Sequence, residues 1–162
     1  MQPKRVPKLR IALDAKYPGI IAGARGAIQS VRGVAGGALA RRGYIEVYSY
    51  WRHWPCVIPQ HGPGKKHERR ITLEPWQHEL VARWPHELLR GLLHSDGCRF
   101  QNTGTGWSAP RYSFKQVSAD IRDIFCVACE RVGVRFTLAR HTVYVSRVAD
   151  VATLDQFVGP KR

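Results

Sequence analysis

The chain has 162 residues, the size of one ordinary domain, and 44% of them are hydrophobic, enough to bury a core and to exclude a disordered or fibrous chain. Its apolar runs, such as Gly19–Ala24 and Phe125–Cys129, fall well short of the roughly 20 residues that cross a bilayer, and Asp14 and Lys16 interrupt the basic start Met1–Arg10 before a signal-peptide core can form, so a soluble, cytoplasmic protein is expected. Twenty-six Lys and Arg against twelve Asp and Glu leave a net charge of +14, spread along the chain, which points to phosphate neutralisation and hence nucleic acid; no basic amphipathic helix stands out to favour acidic lipid.

Lys8–Asp14 alternates apolar and polar residues, the period of a half-buried strand. Pro18 then opens a helix over 19–31 with Ile20, Ile21, Ala24, Ile28 and Val31 as its apolar stripe, and Gly33, Gly36 and Gly37 end it. Strands follow at 38–42 and 44–50 around an Arg42-Gly43 turn, then a short helix within 50–58 and a loop, 60–70, rich in Gly, Pro, His and Lys. Glu74-Pro75 starts a helix that reaches Trp84, and Pro85 starts another carrying Leu88, Leu89, Leu92 and Leu93. Strands at 98–101 and 111–117 flank a Gly-rich loop, 102–110. Ser118 fits the N-cap of a helix whose apolar face is Ile121, Ile124, Phe125, Ala128 and Val132, with Gly133 as its stop. Strands at 134–138 and 142–147 lead to a last helix over 148–158.

The order strand, helix, strand, strand, helix occurs twice, in 8–58 and in 111–158. Each copy ends in a similar basic segment, Gly62-Pro63-Gly64-Lys65-Lys66 and Gly159-Pro160-Lys161-Arg162. The second copy is longer at its front by the Leu-rich helix and one strand. The expected organisation is therefore residues 1–70 as an incomplete first repeat with its basic loop, and 71–162 as a complete second repeat.

The sharpest local pattern is Leu89-Arg90-Gly91-Leu92-Leu93-His94-Ser95-Asp96-Gly97, an apolar helix with a small residue inside and an acid and a glycine at its end. It resembles the LAGLIDADG motif of homing endonucleases (DOD-type) and their DNA-binding relatives: Leu89, Gly91, Leu92, Asp96 and Gly97 match residue for residue, and Leu93 conservatively. The resemblance implies an α+β fold of two αββαββα pseudo-repeats with a saddle-shaped antiparallel sheet, the first repeat being incomplete. It also implies that two such helices pack together through their glycines, each terminal acid holding a divalent metal beside a phosphate. Asp96 would then be the catalytic and metal-binding carboxylate for Mg²⁺-dependent hydrolysis of a long double-stranded DNA site. Such hydrolysis calls for a hard cation on oxygen ligands, which polarises the phosphate and acidifies water. The first motif helix and first strand have no room before Lys8, so a second chain, as in a homodimer, or an upstream segment would supply the partner carboxylate. Without it the expectation is a non-catalytic DNA binder, such as a transcriptional regulator derived from a homing endonuclease; a weaker third option is an RNA-binding role in intron splicing.

The family lays its sheet along the DNA major groove. Alternation places Phe100, Tyr112, Phe114, Val134, Phe136, Leu138, Val143 and Val145 toward the core. Arg99, Gln101, Arg111, Ser113, Lys115, Arg135, Thr137, Thr142, Tyr144 and Ser146 would face outward as DNA-binding residues. Four of these ten are Arg or Lys and none is acidic. Cys126 and Cys129 form a CxxC inside a helix without a second pair, which reads as core packing and not as zinc. Cys56, His61, His67 and His53 form an equally weak metal set. Trp51, Trp54, Trp76 and Trp84 read as core, and Trp107 as the one indole placed to touch nucleic acid.

Overall fold

The structure is a computed structural model that describes residues 6–162; the first five residues of the basic start lie outside the described residues. The chain forms two compact units, one running to His61 and including Pro160–Arg162, the other spanning Gly62–Gly159. The loop expected to close the first repeat, 62–70, thus packs with the second unit.

In the first unit β1 (Lys8–Asp14), α1 (Pro18–Arg32), β2 (Gly37–Arg41), β3 (Tyr44–Tyr50) and the single turn α2 (Trp54–Val57) follow in order. Pro18 begins α1, where its missing N–H costs nothing, and Gly33 ends it in the left-handed region at φ 84°, its N–H donating to Gln29 O. The sheet order is β1-β3-β2, antiparallel throughout, with β1 at one rim. Its covered face joins Leu9, Ile11, Leu13, Ile45 and Val47 to Ile28 of α1 and to Trp54. The buried Trp54 indole keeps its N–H paired by donating to Ser49 O at 3.2 Å.

The second unit contains α3 (Pro75–Arg83), α4 (Pro85–Asp96), β4 (Gly97–Gly104), β5 (Trp107–Lys115), α5 (Ala119–Arg131), β6 (Thr137–Ala139), β7 (Thr142–Val145) and α6 (Val148–Asp155). Its antiparallel sheet has the order β4-β5-β7-β6. Leu89 and Leu93 of α4, Phe125 and Cys129 of α5, and Val151 and Leu154 of α6 close over Tyr112, Phe114, Val143 and Val145. Phe114 and Phe125 stack 4.4 Å apart at 13°. Ser118 caps α5 as expected, its Oγ accepting from Ile121 N.

Three β1–β3 pairs, Ile11↔Val47, Ala12↔Glu46 and Asp14↔Tyr44, recur as Tyr112↔Val145, Ser113↔Tyr144 and Lys115↔Thr142 between β5 and β7. Both following hairpins close on two residues, after Arg41↔Tyr44 and after Ala139↔Thr142, which fixes this correspondence. The internal repeat is therefore real at the level of strand register. Among the described residues of the first unit, α4 and β4 have no counterpart.

Several readings change, and the strand expected at 134–138 is only Thr137–Ala139, with Leu138 exposed. The expected Gly-rich loop at 102–110 is mostly strand: β4 and β5 pair out to Gly104↔Trp107, and Gly106 takes the turn at φ 76°. Backbone pairing continues past the core, where no apolar alternation marks it. Trp76 and Trp84 are exposed, because α3 turns Trp76, Leu80 and Trp84 away from its neighbours; Trp51 and Trp54 belong to the first core, as expected.

Candidate nucleic-acid interface

The Leu-rich motif is the helix α4, and its apolar positions divide cleanly. Leu89 and Leu93 are buried against the sheet, while Leu92 is partly covered. Around Gly91, beyond the backbone of its own helix and its chain neighbours, no described atom lies within 4 Å of where a Cβ would stand. Gly97 is different, since a Cβ there would meet the Leu93 backbone at 2.7 Å, so only glycine allows the helix to turn straight into β4. Asp96 is therefore held at a defined point, the last residue of α4. An anion at a helix C-terminus works against the helix dipole, by roughly 0.3–1 kcal/mol, so the position calls for cationic company.

That company is present. Lys66 Nζ lies 3.8 Å from Asp96 Oδ2. Gln116, just past the end of β5, donates from Nε2 to the same oxygen at 3.2 Å. Gln116 is buried and pinned: its Oε1 accepts from Ser118 N, its backbone N–H donates to His141 O at 2.8 Å, and its carbonyl accepts from Arg122. Gln116 does not stand out in the sequence as a site residue, and Lys66 only as part of the basic segment 62–70, which reads as a loop touching backbone phosphate. The shared basic segment around Lys66 was the single available signal, and Gln116 carried none.

Asp96 supplies one hard carboxylate. Among the described residues, no three His, Cys, Asp or Glu side chains gather as a metal-holding group. Mg²⁺ commonly takes only one or two carboxylates and fills its octahedron with water and substrate phosphate, so the Asp96 corner fits as one share of such a site and not as a complete cage. Cys129 is buried and Cys126 half-buried; burial pushes the Cys126 thiol up to about 11 and the Cys129 thiol further, which suits packing and not thiolate chemistry.

The second sheet has one face under the helices and one open. The pairs Phe100↔Arg111, Asn102↔Ala109, Cys98↔Ser113, Ser113↔Tyr144, Lys115↔Thr142 and Thr137↔Tyr144 define the open face. Arg111, Ser113, Lys115, Thr137, Thr142 and Tyr144 thus share it as expected. The Arg111 guanidinium lies over the Tyr144 ring, 5.2 Å from its centroid. Ser146 follows β7, and its Oγ is shielded without a hydrogen-bond partner among the described residues.

The facing expected for β4 is corrected. Arg99 pairs with Tyr112 and Gln101 with Pro110, so both share the helix-side face, while Phe100 and Asn102 take the open one. Arg99 is engaged by Asp155 of α6 at 2.7 and 2.8 Å. Arg135 precedes β6; it is largely exposed, and its guanidinium lies 3.5 Å from the buried Asp150 of α6. The apolar Phe100 misled the alternation, because it lies on the open face opposite Arg111. Asn102 and Phe100 are the open-face residues that alternation missed.

The open face of the first sheet carries Lys8, Arg10, Arg41, Asp14, Glu46, Tyr44, Tyr48 and Tyr50. Glu46 is buried at its centre, accepting from Lys8 Nζ at 2.6 Å with Arg10 at 3.5 Å and Arg41 at 3.8 Å. The Lys8 hydrogen bond holds the Glu46 carboxyl below its usual range.

No protein-family model and no curated protein matches the chain. Solved structures do. The meganuclease I-SmaMI, described as bound to uncleavable DNA with a TTGT central four, matches at 10% identity over 94% of this chain and 74% of its own, with a TM-score of 0.52. The LAGLIDADG meganuclease I-AabMI, described as bound to uncleaved DNA, matches at 14% identity over 96% and 76%, with a TM-score of 0.51. The chain has the LAGLIDADG homing-endonuclease-like α+β fold.

Proposed function

We propose that the chain binds double-stranded DNA through the open faces of its sheets. The observation that carries this reading is the second open face: Arg111, Lys115, Ser113, Thr142, Tyr144 and Asn102 share it with no acidic strand residue, in a chain of net charge +14. Lysine and arginine would neutralise phosphates, while arginine, serine, threonine and asparagine would reach base edges in the major groove. The DNA-bound state of the structural neighbours supports the same partner. Fluorescence anisotropy with duplex DNA tests it. Affinity should fall by roughly 10³-fold or more between 50 and 200 mM salt, the mark of several phosphate contacts; affinity indifferent to salt would reject the assignment.

A second reading, phosphodiester hydrolysis, rests on the Asp96 corner. Mg²⁺, when bound, would polarise the scissile phosphate and lower the pKa of water. Asp96 would hold it through one carboxylate oxygen, Gln116 would keep that carboxylate in place, and Lys66 would set a positive charge beside the phosphate. The second carboxylate would come from a motif helix of a second copy or of an upstream segment, packed where Gly91 leaves open space. Asp96→Asn should abolish Mg²⁺-dependent cleavage and spare DNA affinity, whereas unchanged cleavage would remove Asp96 from the reaction. Salt-steep binding without cleavage, by the unaltered chain alone or with a second motif helix supplied, would favour the alternative, a non-catalytic DNA-binding regulator.

A further inference from the structure

The two units carry arginines at matching positions with opposite surroundings. Arg111 precedes the pair Tyr112↔Val145 and Arg10 precedes its counterpart Ile11↔Val47; the diagonal neighbour of Arg111 on the next strand is Tyr144, opposite Ser113, and that of Arg10 is Glu46, opposite Ala12, while Arg10 itself stands opposite Tyr48. At that diagonal position an aromatic ring in the second unit stands where the first has a carboxylate.

We infer that Arg111, stacked on Tyr144, is the residue by which the second unit selects a guanine, while Arg10 in the first unit contributes charge and no base selection. This rests on the duplex-binding reading above. Arg111 makes no ion pair or hydrogen bond among the described residues, its Nε is shielded, and its guanidinium lies 5.2 Å from the Tyr144 centroid. The stack restrains the plane of a fork whose remaining N–H groups match the O6 and N7 acceptors that guanine presents in the major groove. Its neighbours are less selective: Lys115 is a point charge at the strand end, and the hydroxyls of Ser113 and Thr142 both donate and accept. Arg10 lies 3.5 Å from Glu46, a carboxylate it shares with Lys8 and Arg41. A cation so compensated keeps less of its donor capacity for a base.

The experiment selects targets for the full chain from a random duplex pool and then measures affinities for single-base variants of the best target. The unaltered chain should require guanine at a position where Arg111→Gln relaxes the preference by roughly 5- to 150-fold, with preferences elsewhere intact. Replacing that guanine by 7-deazaguanine, which lacks the N7 acceptor, should weaken the unaltered chain and leave Arg111→Gln indifferent. Arg111→Lys, which keeps the charge but not the planar fork, should weaken the preference, and Tyr144→Phe, which keeps the ring, should retain it. Arg10→Gln should leave every base preference in place and only make the salt dependence shallower. If Arg111→Gln weakens all sequences alike, Arg111 is a phosphate contact and the inference falls. If Arg10→Gln relaxes a guanine equally, the asymmetry falls. Absence of salt-steep duplex binding by the unaltered chain would reject the DNA reading itself and this inference with it.

Discussion

Arg99 and Asp155, 56 residues apart in sequence, meet through two parallel hydrogen bonds, Nε to Oδ1 at 2.7 Å and Nη2 to Oδ2 at 2.8 Å. Tyr112, opposite Arg99 in the hairpin, donates its hydroxyl to the same Oδ1 at 2.7 Å. One carboxylate at the end of α6 therefore ties the last helix to two neighbouring strands.

This trio has a pH signature. The Arg99 hydrogen bonds hold the Asp155 carboxyl below its ordinary value of 3.8. A depressed folded-state pKa contributes stability that is whole above the unfolded value and is lost as pH falls through the folded one. Asp155→Asn should therefore cost about 1 kcal/mol at neutral pH, since the pair is partly exposed. That difference should shrink in urea titrations below the ordinary carboxylate value; a difference constant across pH would show that Asp155 acts by shape alone.

Gly97→Ala tests the helix-to-strand corner. The added Cβ would stand 2.7 Å from the Leu93 backbone and side chain, and neither the helix end nor a fully packed leucine can yield freely. A loss of roughly 1–3 kcal/mol is expected, read as a shift in urea midpoint. The same change at Gly91, where space is open, should be neutral or slightly stabilising in the isolated chain, because alanine is the better helix former.

Thiol titration distinguishes packing cysteines from reactive ones. Cys56 and Cys98 are exposed, while Cys126 and Cys129 sit in α5 with raised thiol pKa values. Ellman's reagent at pH 7.5 should modify the first pair quickly and the second only on unfolding. Fast reaction of all the thiols would mean that α5 opens readily.

Much of the fold could be read in the chain, for identifiable reasons. Alternation in Lys8–Asp14, the glycine stop after Arg32 and the serine before Ala119 are local signals with local causes, and they place the elements where the structure has them. Asp96 was equally legible, because a helix ending in acid and glycine is a contiguous pattern. Its partners were not: Gln116 reaches it from 20 residues away and Lys66 from a single 3-10 turn, Lys66–Glu68. The facing of β4 failed for the same reason. Arg99 lies on the helix side because Asp155 receives it there, and no feature of the strand itself announces a partner so distant in sequence. The exposure of Trp76 and Trp84 likewise depends on which side of α3 its neighbours cover, and spacing alone does not record that.

The place of β1 at the rim of its sheet bears on how the protein behaves in a tube. A rim strand offers amides and carbonyls to any extended chain that drifts near, including another copy of itself. The net charge of +14 keeps copies apart, and that repulsion reaches only as far as the ionic atmosphere allows, ~10 Å at 0.1 M salt but ~3 Å at 1 M. Concentrated salt, the usual means of stripping nucleic acid from a basic protein, should thus also lower its colloidal stability, with light scattering rising as ionic strength rises.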